Sequence, residues 1–326
     1  MIDAQNKTTT LYSYQNGIGA NTEAILNRTL RHILYGHLYD GGGGGNGGGG
    51  GGGGGGGETP YNEMHFTTLA GSVDYVGTVG DRILLSDNSS VDITATDETF
   101  TFNVPAGKHT VKLVESVGRH DYVSVGGEAL VELHNFPTLS TVTKFNFTTH
   151  EYNALPNLTK VPNVFPSNIT NMMYMFIGAS AFNQDISMWD VSNVTNMVGM
   201  FVGATSFNQP LNNWNVSNVT NMFNMFSQAS SFNQPLNNWD VSIVTNMSYM
   251  FFAASSFNQP LNNWDVSSVT NGMFNGMNGM FYNASTFNQD LSMWCVSNFP
   301  TMPNDFDAGA TNWTLPRPVW GTCPSP

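Results

Sequence analysis

One string is written repeatedly through the C-terminal half of the chain, and its fixed spacing limits what the chain can fold into. It reads Ser-Phe-Asn-Gln-Pro-Leu-Asn-Asn-Trp-Asp-Val-Ser-Asn-Val-Thr-Asn-Met, then two variable residues, Met-Phe, two more residues and Ala. Trp189, Trp214, Trp239, Trp264 and Trp294 mark the register at intervals of 25, 25, 25 and 30 residues, and Phe182, Phe207, Phe232, Phe257 and Phe287 keep the same intervals. A fixed period of about 20 to 29 residues marks a leucine-rich-repeat-like solenoid, in which each unit stacks only on its neighbours. The longer last interval comes from a Gly/Asn-rich insertion within Thr270–Met277, which a solenoid can bulge out at one turn.

Each repeat divides in two. Met222, Met225, Phe226 and Ala229 fall at the offsets of a short apolar helix stripe. Leu236, Trp239 and Val241 follow the Leu-x-x-Leu-x-Leu spacing of a repeat strand, with Trp in the middle slot. The expected fold is an α/β repeat solenoid of about 25 residues per coil, preceded by a small all-β domain and an N-terminal helix. The Phe-Asn-Gln-(Pro/Asp)-Leu-x-x-Trp-Asp-Val-Ser-x-Val-Thr-Asn-Met…Met-Phe string resembles the BspA-type leucine-rich-repeat surface proteins. The resemblance covers residues 155–324, including the ending Trp294-Cys295-Val-Ser-Asn-Phe and Trp320-Gly-Thr-Cys323-Pro. It implies a non-enzymatic, surface-displayed module for adhesion or recognition, and it names no ligand.

Charged residues make up 10% of the 326 and the formal charge is -13. An acidic surface of this kind repels phosphate backbones, so nucleic acid is not an expected partner. No stretch approaches the ~18 to 20 apolar residues of a membrane span. The opening Met-Ile-Asp-Ala-Gln-Asn-Lys-Thr lacks the basic-then-apolar order of a secretory signal. The two cysteines, Cys295 and Cys323, read as a disulfide tying the tail over the last repeat's open edge, with free thiols in a reducing cytosol as the alternative. A disulfide calls for an oxidising final location. A virion surface, reached by lysis and assembly, reconciles that location with the opening residues; the alternative is the surface of a bacterial or protist cell.

Four regions are expected. Residues 1–40 hold a helical anchor, with Leu26, Leu30, Ile33, Leu34, His37 and Leu38 on one face and Asn21 or Thr22 as cap. That stripe suits docking on other virion or surface proteins, pairing with copies of itself, or packing back on the middle domain. Residues 41–57 are glycine apart from Asn46 and read as a tether, or as an ordered polyglycine helix against other chains. Residues 58–133 carry short β-rich runs, with Pro105-Ala-Gly-Lys as a hairpin turn. Residues 134–326 form the solenoid, entered through degenerate repeats such as Leu155-Pro-Asn-Leu.

Chemistry is sparse. From Val161 to Pro316 there is no His, Lys, Arg or Glu, which leaves aspartate for any general acid–base work. The spacing of the seven histidines suggests no metal site. No cofactor is expected, and a carbohydrate-active enzyme is disfavoured for want of paired carboxylates in a cleft. Met197, Met200, Met222, Met225, Met247 and Met250 recur at core spacing, and Asn208-Gln209, Asn233-Gln234 and Asn258-Gln259 suit a ladder between coils. Asn193, Asn218 and Asn246 fall in Asn-x-Ser/Thr triplets that the repeat itself generates. The candidate binding face comprises Met188, Asp190, Asn213, Asn215, Asn238, Asp240, Asn263 and Asp265, in two parallel columns on the exposed face of the expected repeat sheet. Its amides and carboxylates suit sugar hydroxyls, a protein partner or a calcium ion. The competing reading is that Asp and the following Val-Ser only shape the chain. The function expected is attachment to a host-surface glycan or protein, with homo-oligomers possible.

Overall fold

A computed structural model describes residues 61–76, 82–85, 87–92, 100–114, 122–126, 130–134, 136, 144–146, 155–270 and 276–324. The expected helix at Asn21–Tyr39 and the glycine tract lie outside these residues.

Among the described residues nine strands form two sheets. They are β1 (Tyr61–Thr68), β2 (Gly71–Val76), β3 (Arg82–Leu84), β4 (Ser90–Asp92), β5 (Phe100–Val104), β6 (Gly107–Val114), β7 (Tyr122–Gly126), β8 (Leu130–Leu133) and β9 (Lys144–Asn146). One sheet has the order β4-β3-β6-β1-β8 and the other β5-β2-β7-β9. All pairs are antiparallel except β7 with β9. Pro105-Ala106 is therefore not the expected hairpin turn: β5 pairs with β2 in one sheet, and β6 pairs with β1 and β3 in the other. Pro105 brings no N–H to a ladder. Its carbonyl instead faces the Thr68 hydroxyl at 3.2 Å and the His109 ring at 3.2 Å. β9 also carries the second sheet past residue 133, the expected boundary.

The repeats are built from turns. Among the described residues there is no α-helix, and the expected division into helix and strand gives way to a chain of i→i+3 β-turns. In one unit Phe207 N–H donates to Ala204, Trp214 to Leu211, Val219 to Val216, Met225 to Met222, Ser227 to Asn224 and Ala229 to Phe226, at 2.8–3.1 Å. The reason is an ambiguity of spacing. Apolar residues three apart fit a helix stripe, but they also fit the two ends of a single turn. Asn, Ser and Gly at many of the middle positions favour turns.

The other backbone amides bond between units. Met172, Tyr174, Phe176 and Gly178 donate to Asn196, Val198, Met200 and Val202 of the next unit, and the set recurs in later units. The isolated parallel bridges Asn171↔Asn196, Asn196↔Asn221 and Asn221↔Asn246 mark the same ladder. Tyr174, Asn224, Gln228, Tyr249 and Ala253 hold positive φ between 52° and 60°. This costs a non-glycine residue roughly 1–2 kcal/mol. Each of the five donates to the next unit, at 2.6–3.0 Å.

Inside the coils, side chains line up by column. Phe176, Phe201, Phe226, Phe251 and Phe281 stack with centroids 5.4–5.7 Å apart. Phe182, Phe207, Phe232, Phe257 and Phe287 stack at 5.8–6.0 Å. Offset aromatic pairs of this kind contribute about 0.5–1.5 kcal/mol beyond area burial. Trp214, Trp239, Trp264 and Trp294 each donate Nε1–H to the Ile or Leu carbonyl that opens the matching turn one unit earlier, at 2.8–3.1 Å. The methionines Met197, Met200, Met222, Met225, Met247 and Met250 are fully buried, as their core spacing suggested.

Both ends of the repeat region are covered. At the start Leu133 N–H donates to Lys160, and Thr159 N–H to Val131, beside a Glu132–Lys160 ion pair at 3.0 Å. One cluster of buried side chains runs from Met64 and Phe66 through the coils to Trp313. At the other end Cys295 and Cys323 are joined as a disulfide. The tail pairs with the last unit through Leu291 N–H to Pro316 and Val296 N–H to Thr322. Closing a loop of this length is worth on the order of 3 to 4 kcal/mol in the chain-entropy model.

Two predictions arise. Gly199 has φ +59°, and a Cβ there would run into the Tyr174 ring of the preceding unit. Gly199→Ala should therefore cost about 2 kcal/mol in urea unfolding; an unchanged midpoint contradicts the packing. The second concerns His109, which is 2% exposed and lies 2.8 Å from the Thr68 hydroxyl. Burial holds its imidazole below the ordinary 6.5, against the opposing pull of the Pro105 carbonyl and of Asp87. A depressed folded value means that the unfolded chain takes up the proton first. Its contribution is therefore full above pH 6.5 and is lost as pH falls toward the folded value. Stability should decline as pH falls below about 6.5, and His109→Gln should flatten that decline in parallel titrations.

Candidate binding face

The eight residues of the candidate face are all exposed, but they sit on turn corners and not on a sheet. Met188, Asn213, Asn238 and Asn263 are second in the outward pair of the turn closed by Trp189, Trp214, Trp239 and Trp264, whose N–H groups donate to Ile186, Leu211, Leu236 and Leu261. The buried Leu or Ile and Trp hold each turn from below. Met188 is 87% exposed.

Asp190, Asn215, Asp240 and Asp265 follow the Trp and face a different task. Each Oδ1 accepts the backbone N–H of the serine two residues on, at 3.0–3.1 Å. This is the Asx turn that such residues favour. The Ser192 and Ser242 hydroxyls, then the N–H groups of the same serines, hold Asp190 and Asp240 below the ordinary carboxylate value of 3.8. The column thus serves chain geometry first, which is the competing reading raised from the sequence. Among the described residues no group of three or more His, Cys, Asp or Glu is placed to hold a metal ion. No helix there is long and apolar enough to cross a membrane.

The amide ladder is on the adjoining turn. Asn183, Asn208, Asn233 and Asn258 each accept at Oδ1 the backbone N–H of the matching Asn one unit later and the Nε2–H of the next glutamine, at 2.8–3.0 Å. Asn193, Asn218 and Asn298 donate Nδ2–H to serine carbonyls of the preceding unit, at 2.7–2.9 Å. Their Asn-x-Ser/Thr surroundings, where present, are thus a by-product of a structural contact. Sequence reasoning passed over Asn212, Asn237 and Asn262, the first members of the outward pairs. The Asn-Asn doublet between Leu and Trp was the available signal, because both residues favour turns.

A family model described as "Mycoplasma protein of unknown function, DUF285" matches residues 143–251 and 217–315, which together span more than half of the chain. No curated protein and no solved structure matches it.

Replacing the Asx acceptor tests this division of labour. Asp240→Ala should cost roughly 1 kcal/mol, the net worth of one hydrogen bond, while Asp240→Asn should retain most of the stability at neutral pH. Because the folded Asp240 carboxyl lies below 3.8, its contribution is present above that pH and lost as pH falls through the folded value. The Asn variant should therefore lose less stability than the native chain below about pH 4. Identical acid unfolding curves count against the assignment.

Proposed function

The chain belongs to that Mycoplasma family, and from this premise we propose that it is a non-enzymatic, surface-displayed recognition protein of BspA-like kind. Its repeats act as a leucine-rich-repeat-like solenoid that touches a host or partner surface. The observation carrying the reading is the outward surface of the units. Amides, hydroxyls and aspartates occupy the corners, and no His, Lys, Arg or Glu occurs between Val161 and Pro316. Such a surface is suited to contact and poorly supplied for proton transfer. The Cys295–Cys323 disulfide suits an oxidising, extracellular location.

The proposal includes a virion as carrier, with residues 1–40 as anchor to other particle proteins. A second reading, a cell-surface adhesin, is favoured by the Mycoplasma description of the family. Fluorescent full-length protein should bind intact host cells saturably and without consuming any surface component; absence of saturable binding rejects the attachment role. Deleting residues 1–40 should abolish incorporation into particles, and unchanged incorporation rejects the anchor.

A further inference from the structure

We propose that Asn212-Asn213, Asn237-Asn238 and Asn262-Asn263 form a track for a neutral polysaccharide lying along the stack. The inference rests on the attachment reading above and names its ligand class. The three pairs occupy the same corner of three successive units, each held by a buried Leu and Trp. The Trp column beneath these corners sets their spacing: Trp239 and Trp264 stack with centroids 6.4 Å apart, so successive pairs follow one another on the scale of a single sugar residue. A carboxamide offers two donors and an acceptor together, the pattern that neighbouring sugar hydroxyls require.

Two of the outward amides, those of Asn238 and Asn263, are also oriented before any ligand arrives. Asn212 Oδ1 accepts the Asn238 N–H at 3.0 Å, Asn237 Nδ2–H donates to Asn238 Oδ1 at 3.3 Å, and Asn262 Nδ2–H donates to Asn263 Oδ1 at 2.9 Å. Ordering side chains in advance lowers the entropy lost on binding. Asn213, Asn238 and Asn263 remain exposed.

Charge and length select the ligand further. The pairs are uncharged, and Asp240 and Asp265 beside them disfavour sulfated or phosphorylated chains. The acidic column does not suit a bound cation, since Asn215 interrupts it and its oxygens accept serine N–H groups. The flanking units replace the doublet by Ser187-Met188 and Ser292-Met293. Met188 and Met293 are 87% and 58% exposed. Their thioethers are weak acceptors without donors, so they end the amide track and offer apolar contact to the C–H faces of terminal rings.

The test uses full-length protein on an array of neutral, sulfated and carboxylated glycans, alongside the triple variant Asn213→Ala/Asn238→Ala/Asn263→Ala. The expected result is retention of neutral glycans that survives EDTA and strengthens with oligosaccharide length until three units are spanned. The triple variant, with an unchanged circular dichroism spectrum, should bind about tenfold more weakly, having lost its amide contacts. A second variant, Asn238→Gln, keeps the amide and guards against a misfolded triple variant; it should bind more tightly than Asn238→Ala. Binding of charged glycans alone, or equal binding by all variants, overturns the inference. If native protein binds host cells but no neutral glycan, the polysaccharide track falls while the attachment role stands; if it binds neither, both fall.

Discussion

Pairing of buried backbone groups decides this architecture. A coil made of turns satisfies only part of its N–H and C=O groups locally, and buried backbone groups left unpaired are costly. Here the amides alternate. Met175, Ile177 and Ala179 bond within their own unit, whereas Met172, Tyr174, Phe176 and Gly178 bond to the next. A lone unit would leave half of this segment unsatisfied. Each unit therefore depends on a neighbour for hydrogen bonds as much as for apolar burial.

Side chains complete what the backbone cannot. Where the chain turns between Phe182 and Trp189, and at each equivalent stretch later, few main-chain bonds connect the units. Asn, Gln and Trp take over that role, with amide and indole groups reaching carbonyls and N–H groups next door. Uncharged donors and acceptors suit these partly buried positions because they avoid the desolvation cost of ions. This explains how the repeat region can be so poor in charge and still be specific in register. The ends need different solutions. β8 covers one, and the disulfide-bonded tail covers the other with Trp320 against Phe306 at 4.9 Å.

Much of this was legible in the residues. The interval of the Trp and Phe columns gave the unit length, the methionine spacing gave the core, and the Asn-Gln doublets gave the ladder. Secondary structure within the unit was not legible. Met222, Met225, Phe226 and Ala229 satisfy a helix template, yet the following unit supplies acceptors that compete with i→i−4 bonding, and positive φ at Asn224 and Gln228 breaks the helical path. Leu236, Trp239 and Val241 read as a strand because the spacing cannot show that Trp239 N–H returns to Leu236. The columns at Asn213 and Asp240 were anticipated as two lines on one flat face. They belong to successive corners with different duties, one open to solvent and one occupied in holding a turn. In the β region, Pro105 looked like a hairpin because the strands on either side are adjacent in sequence. Their pairing partners are distant ones.

The splice at Thr270 has a wider implication. Gly276 N–H returns to Thr270, and Met247 N–H finds Gly276 where earlier units supply an asparagine carbonyl. Five additional residues thus leave the succession of rungs unbroken. An array assembled on such interchangeable joints has no intrinsic stopping point between its two lids. Duplication or loss of whole modules in the gene would lengthen or shorten the molecule in equal steps of one stacked unit, making its span a quantity that heredity can adjust by counting.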